Sequence, residues 1–92
     1  MPYIKEDDRL HYAVDLAALI ARFQENGCSG GDFNYLVTNL LLVMIGPKES
    51  WNYSKLSFAV GQLTCIQLEF YRRVVEQYEG EKIAENGDVY NA

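Results

Sequence analysis

The residues best equipped for chemistry sit in one short run, Glu69-Phe-Tyr-Arg-Arg73. Arg72 and Arg73 put two guanidinium forks on adjacent edges of a helix, and such forks match phosphate oxygens in both geometry and charge. Tyr71 stands beside them, Tyr78 follows one to two turns on, and aromatic faces suit a nucleobase. Lys82 adds a cation one turn beyond Tyr78. The plainer account of the same residues is a salt-bridged helix face, because Glu69 and Glu76 lie three or four residues from the arginines.

Other constellations carry less. Glu76 and Glu79 form an ExxE pair, whereas all-helical nucleotide pyrophosphatases hold magnesium with two such pairs on two helices, and the second pair is missing here. His11, the only histidine, makes an i, i+4, i+8 row with Asp7 and Asp15; a metal site needs further ligands converging from another element. Gly27-Cys-Ser-Gly-Gly31 precedes a helix and offers backbone N–H groups to an anion, but it lacks a Walker lysine, and Asp32 repels an anion there. Ser29 has no GxSxG frame, and neither Cys28 nor Cys65 has a predictable base, so nucleophilic catalysis finds no constellation.

The whole chain bounds these readings. Its 92 residues make one domain, and 49% hydrophobic with 23% charged residues is the composition of an ordinary globular one. A net charge of -5 argues against non-specific nucleic-acid binding, which needs a basic face. Residues 76–92 hold five acids and one lysine, so most of that charge is C-terminal. The two cysteines form neither a CxxC pair nor a zinc pattern, no signal core opens the chain, and the longest apolar run, Leu40 to Ile45, is too short to span a membrane. These features predict a cytoplasmic protein with reduced thiols.

The elements that must position the candidates follow from apolar spacing. Leu10, Val14, Ala17 and Ala21, broadened by Leu16, Leu19, Ile20 and Phe23, predict a helix over about 7–26 that stops at Asn26-Gly27. Asp32 is the expected N-cap of a second helix over about 33–45, apolar on nearly every side, with strand as the competing assignment for Leu40–Ile45. Gly46-Pro47 ends it. A third helix is predicted from about 53 to 79, carried by the stripe Leu56, Val60, Leu63, Ile66, Phe70, Val74 and Tyr78. At 1.5 Å per residue it would be about 40 Å long, longer than the others can cover, which predicts self-association. Gly80 is expected to separate a tail, 80–92, that docks through Ile83, Val89 and Tyr90.

Four segments carry a resemblance: Met1-Pro-Tyr-Ile-Lys-Glu-Asp-Asp-Arg9, Phe33-Asn-Tyr35, Glu69-Phe-Tyr-Arg-Arg-Val-Val75 and Tyr78-Glu-Gly-Glu-Lys-Ile-Ala-Glu-Asn-Gly-Asp-Val-Tyr90. Together they resemble a small family of bacteriophage, prophage and environmental proteins with no established activity. The resemblance spans almost the whole chain and implies a compact helical protein of viral source whose tail belongs to the fold. The chain departs from that pattern in the Cys28–Gly31 loop and at Gly80, where an acidic residue is expected. By analogy, some small phage proteins are oligomers that sequester nucleotide immune signals such as cyclic dinucleotides or ADP-ribose derivatives, held by arginines and aromatics between subunits.

The expected fold is all-α: a single domain, residues 1–92, formed as a small bundle of three helices with a long third helix and a docked C-terminal turn, assembled as a homo-oligomer. The expected function is non-enzymatic sequestration of a nucleotide-like anion in the host bacterial cytoplasm. Arg72, Arg73 and Lys82 would hold its charge, Tyr71 and Tyr78 would stack, and Asn34, Tyr35 and Thr38 would supply hydrogen bonds from a neighbouring helix. No catalytic residue, metal or cofactor is expected, and neither nucleic acid nor membrane is an expected partner. The alternatives are an adaptor or inhibitor that engages a host protein through its acidic tail and exposed tyrosines, and a magnesium-dependent nucleotide pyrophosphatase.

Overall fold

The computed structural model of the protein describes residues 3–90. Among them every regular element is helical and no strand forms, so Leu40–Ile45 is helix. By its contacts the chain divides into two units, residues 3–59 and, among the described residues, 60–90.

The first unit opens with α1, Glu6–Arg9, whose first turn carries Glu6, Asp7 and Asp8 at the positive end of the helix dipole. The single helix expected over 7–26 is broken here. Leu10, His11, Tyr12 and Ala13 each donate a backbone N–H to a carbonyl three residues back, and Tyr12 sits at φ -115°, ψ -4°, the conformation of a turn. His11, Tyr12 and Val14 are middling helix formers, so little opposes the tightening. Helix α2 then runs over Ala13–Asn26 and stops at Gly27, whose φ of 74° needs a residue without Cβ.

Helix α3 spans Gly30–Ile45. Its N-cap is Ser29, not Asp32 as expected. The Ser29 Oγ accepts the Asp32 N–H at 3.0 Å, and the Asp32 carboxylate accepts the Ser29 N–H at 3.2 Å. This reciprocal pair satisfies two orphan donors where a cap at Asp32 would satisfy one. Gly46, at φ 82°, ends α3, and the next turn closes on it: the Trp51 indole N–H donates to the Gly46 carbonyl at 3.0 Å. Asn52 caps the following helix by accepting the Lys55 N–H on its side chain at 2.9 Å. That helix, α4, covers Tyr53–Phe70 and supplies its first turns to this unit. Ile45 and Ala59 are the only buried residues among those described, with Leu19, Phe23, Leu36, Val37 and Leu41 half-buried.

The second unit contains the rest of α4, a π-helical segment Tyr71–Val75, and α5, Glu76–Asn86. The predicted break at Gly80 does not occur. Its neighbours Glu79, Glu81, Lys82, Ala84 and Glu85 are good helix formers and outweigh one glycine, and the stop falls at Gly87, φ 88°. The tail is therefore mostly helix, and Val89 and Tyr90 beyond it stay almost fully exposed rather than docked in a core. No residue of this unit is buried among those described.

Candidate functional site

Glu69, on the last turn of α4, organises the arginine pair. One carboxylate oxygen bonds the Arg72 Nη2 at 2.8 Å, and the other lies 3.8 Å from the Arg73 Nη1. The Glu69 side chain is only 13% exposed, while the two arginines are 60% and 61% exposed. One carboxylate thus anchors two guanidinium groups, which leaves a positive charge in excess of the local pair. The helix-face account holds for Glu69, which pairs with both arginines.

The π segment sets the direction of Tyr71. The Glu76 N–H donates to the Tyr71 carbonyl, five residues back. At 3.6 residues per turn, positions 71 and 79 would lie about 80° apart around the helix axis. A π turn winds each residue through a smaller angle and brings the two onto one face. The Tyr71 hydroxyl accordingly donates to the Glu79 Oε1 at 3.1 Å. That bond, then the Glu79 charge, slight desolvation and the charge of Glu76, raise the Tyr71 phenol above its ordinary value of 10.0. The bond holds the hydroxyl end of the ring, and Tyr71 remains 46% exposed.

One turn on, Lys82 bonds the Glu85 Oε2 at 3.1 Å, and its Nζ stands 5.4 Å from the centre of the Tyr78 ring. Tyr78 therefore already has a cation on one face. Tyr78, Lys82, Ile83, Asn86, Val89 and Tyr90 help to line an open groove of about 480 Å³ at the end of α5.

Asn34, Tyr35 and Thr38 fall in the first unit, on α3. The Thr38 Oγ1 donates to the Asn34 Oδ1 at 3.3 Å, and the Tyr35 carbonyl accepts from the Asn39 Nδ2 at 2.8 Å. Tyr35 is exposed and borders a groove of about 440 Å³ with Arg22, Phe23, Asp32 and Leu36 among its walls. Arg22 carries no signal in the sequence, because a single charge on an amphipathic helix has the pattern of any solvated residue; only the groove sets it apart. Among the described residues no three His, Cys, Asp or Glu side chains converge as metal ligands, and no helix is long and apolar enough to cross a membrane. Cys28 and Cys65 are free and exposed.

Residues 1–89 match the model of a family described as a domain of unknown function (DUF6899). No curated protein and no solved structure matches the chain.

Proposed function

The chain belongs to the DUF6899 family, and from the geometry of its second unit we propose that it is a non-enzymatic binding protein that sequesters a nucleotide-derived anion. The observation that carries this is the pair of exposed guanidinium forks on one nearly covered carboxylate. Glu69 holds Arg72 and Arg73 in place without using up their donors. A phosphate takes two or more such donors at once, and the neighbouring Tyr71 ring offers a face to the attached base. Tyr78 and Lys82 extend the surface, with Lys82 leaving the tyrosine ring when a base takes its place. Asn34, Tyr35 and Thr38 add hydrogen-bonding capacity in a homo-oligomer. In this reading the protein is phage-encoded, works in the host bacterial cytoplasm and disarms defence by removing its signal.

Titration calorimetry with ADP-ribose and with cyclic di-AMP tests the reading. Saturable binding of either probe, in fixed stoichiometry to the subunits and without turnover, is the expected result. Absence of heat with both contradicts it.

The second reading is a protein-binding adaptor, favoured by the exposure of Val89 and Tyr90 beyond an acid-rich α5. It predicts binding to a host protein that survives loss of Arg72 and Arg73 but not truncation after Asn86.

A further inference from the structure

The last turns of α2 and the first turns of α3 meet in an open groove of about 440 Å³ within the first unit. That volume lies in the range of small-molecule sites, about 300–1,000 Å³. Leu19, Arg22 and Phe23 follow the i, i+3, i+4 spacing of one helix face, and Asp32, Tyr35 and Leu36 repeat that spacing on α3. Leu19, Phe23 and Leu36 are half-buried. The fold thus brings an apolar wall, one guanidinium and one carboxylate to the same groove.

Both charges have bonding capacity to spare. Among the described residues Arg22 has no ion pair and no side-chain hydrogen bond. Asp32 gives its Oδ2 to the Ser29 N–H at 3.2 Å and keeps Oδ1 without a partner.

Sign and volume decide what the groove takes. A simple anion drawn to Arg22 meets the charge of Asp32, and a simple cation drawn to Asp32 meets Arg22. A dipolar molecule satisfies both. Its carboxylate matches the guanidinium fork, its ammonium donates to the Asp32 carboxylate, and an apolar substituent covers the Leu19, Phe23 and Leu36 wall. The chain's own second unit fits poorly. Residues 60–86 are helical throughout, and two turns of a helix about 10 Å across fill about 850 Å³, about twice the groove. Residues 87–90 lie beyond that helix but hold no base for Asp32. The same width excludes a helix of a second copy.

We propose that this groove binds a free amino acid with a large apolar side chain, its α-carboxylate on Arg22 and its α-ammonium on Asp32. The site draws on the first unit alone, so the proposal stands whether or not a nucleotide binds.

Calorimetry on the full chain with millimolar L-phenylalanine tests it. Saturable binding of one equivalent per chain is expected. Phenylpropionate, which lacks the ammonium, and phenethylamine, which lacks the carboxylate, should each bind at least about tenfold more weakly, the effect of one hydrogen bond to a charged group. Arg22→Gln should weaken phenylalanine binding by the same factor and leave the circular dichroism spectrum unchanged, since Arg22 has no partner among the described residues. Asp32→Asn keeps an oxygen for the Ser29 N–H and should erase the preference for phenylalanine over phenylpropionate. No binding of phenylalanine overturns the proposal. Equal binding of the three compounds also overturns it, because the groove is then an apolar cleft without charge recognition. So does an Arg22→Gln chain that binds phenylalanine as tightly as the unmodified one.

Discussion

Replacing Arg72 and Arg73 together by alanine separates a ligand clamp from a structural brace. Both guanidinium groups are about three-fifths exposed, and only the 2.8 Å contact with Glu69 is a close bond; the other is at 3.8 Å. Solvent screening limits exposed pairs of this kind to roughly 0.2–1 kcal/mol each. The double variant should therefore lose about 1 kcal/mol of stability, a fall in Tm of roughly 4–8 °C for a domain of this size. Binding should suffer far more. A hydrogen bond to a charged group contributes about 1.5–3 kcal/mol, so losing one from each arginine costs about 3–6 kcal/mol, more than a hundredfold in affinity. Circular dichroism melts read the first quantity, and calorimetry with ADP-ribose and cyclic di-AMP reads the second. A helical variant that no longer binds is the predicted result. Unchanged affinity, or a chain that no longer folds, refutes the assignment of these arginines to a ligand.

Three further outcomes follow from the geometry. Ser29→Ala removes half of the capping box and should lower stability by about 1 kcal/mol, read as a lower midpoint in urea. Gly80→Ala should raise stability by up to about 1 kcal/mol, because Gly80 lies inside α5 and an added Cβ meets nothing within 4 Å; destabilisation would mean that the helix breaks there after all. Tyr71 should keep its proton above the pH at which an ordinary tyrosine ionises. Its contribution to stability is constant below about pH 10 and fades as pH rises through the elevated folded value. The difference in phenolate absorbance between the native chain and Tyr71→Phe measures this, and Glu79→Gln should return the titration toward normal.

The helical class was readable because apolar spacing is an average over many residues, and the strong stops at Gly27 and Gly46 were readable because only glycine takes their positive φ without strain. Single-residue choices were harder. Ser29 and Asp32 form an S-x-x-D pattern that fits either residue as the cap, and the reciprocal bond decides it. Gly80 carries the local signal of a break, and the helix formers around it override that signal. The π segment left no trace, since Phe70, Val74 and Tyr78 keep helical spacing across it, yet it is what joins Tyr71 to Glu79. At the candidate site, the pairing of the arginines with Glu69 followed from i+3 and i+4 spacing. The exposure of both forks did not, because it depends on what surrounds them within the second unit. The apolar stripes state which residues seek cover, and Leu40 and Val43 show that one chain's own unit does not provide it.

The most direct test of the account is native mass spectrometry of the purified protein, alone and after incubation with ADP-ribose and cyclic di-AMP. The account predicts an oligomer that carries a discrete nucleotide mass in whole-number stoichiometry with its subunits, absent when Arg72 and Arg73 are alanine. A species that takes up neither nucleotide contradicts the sequestration reading and turns the search toward a protein partner.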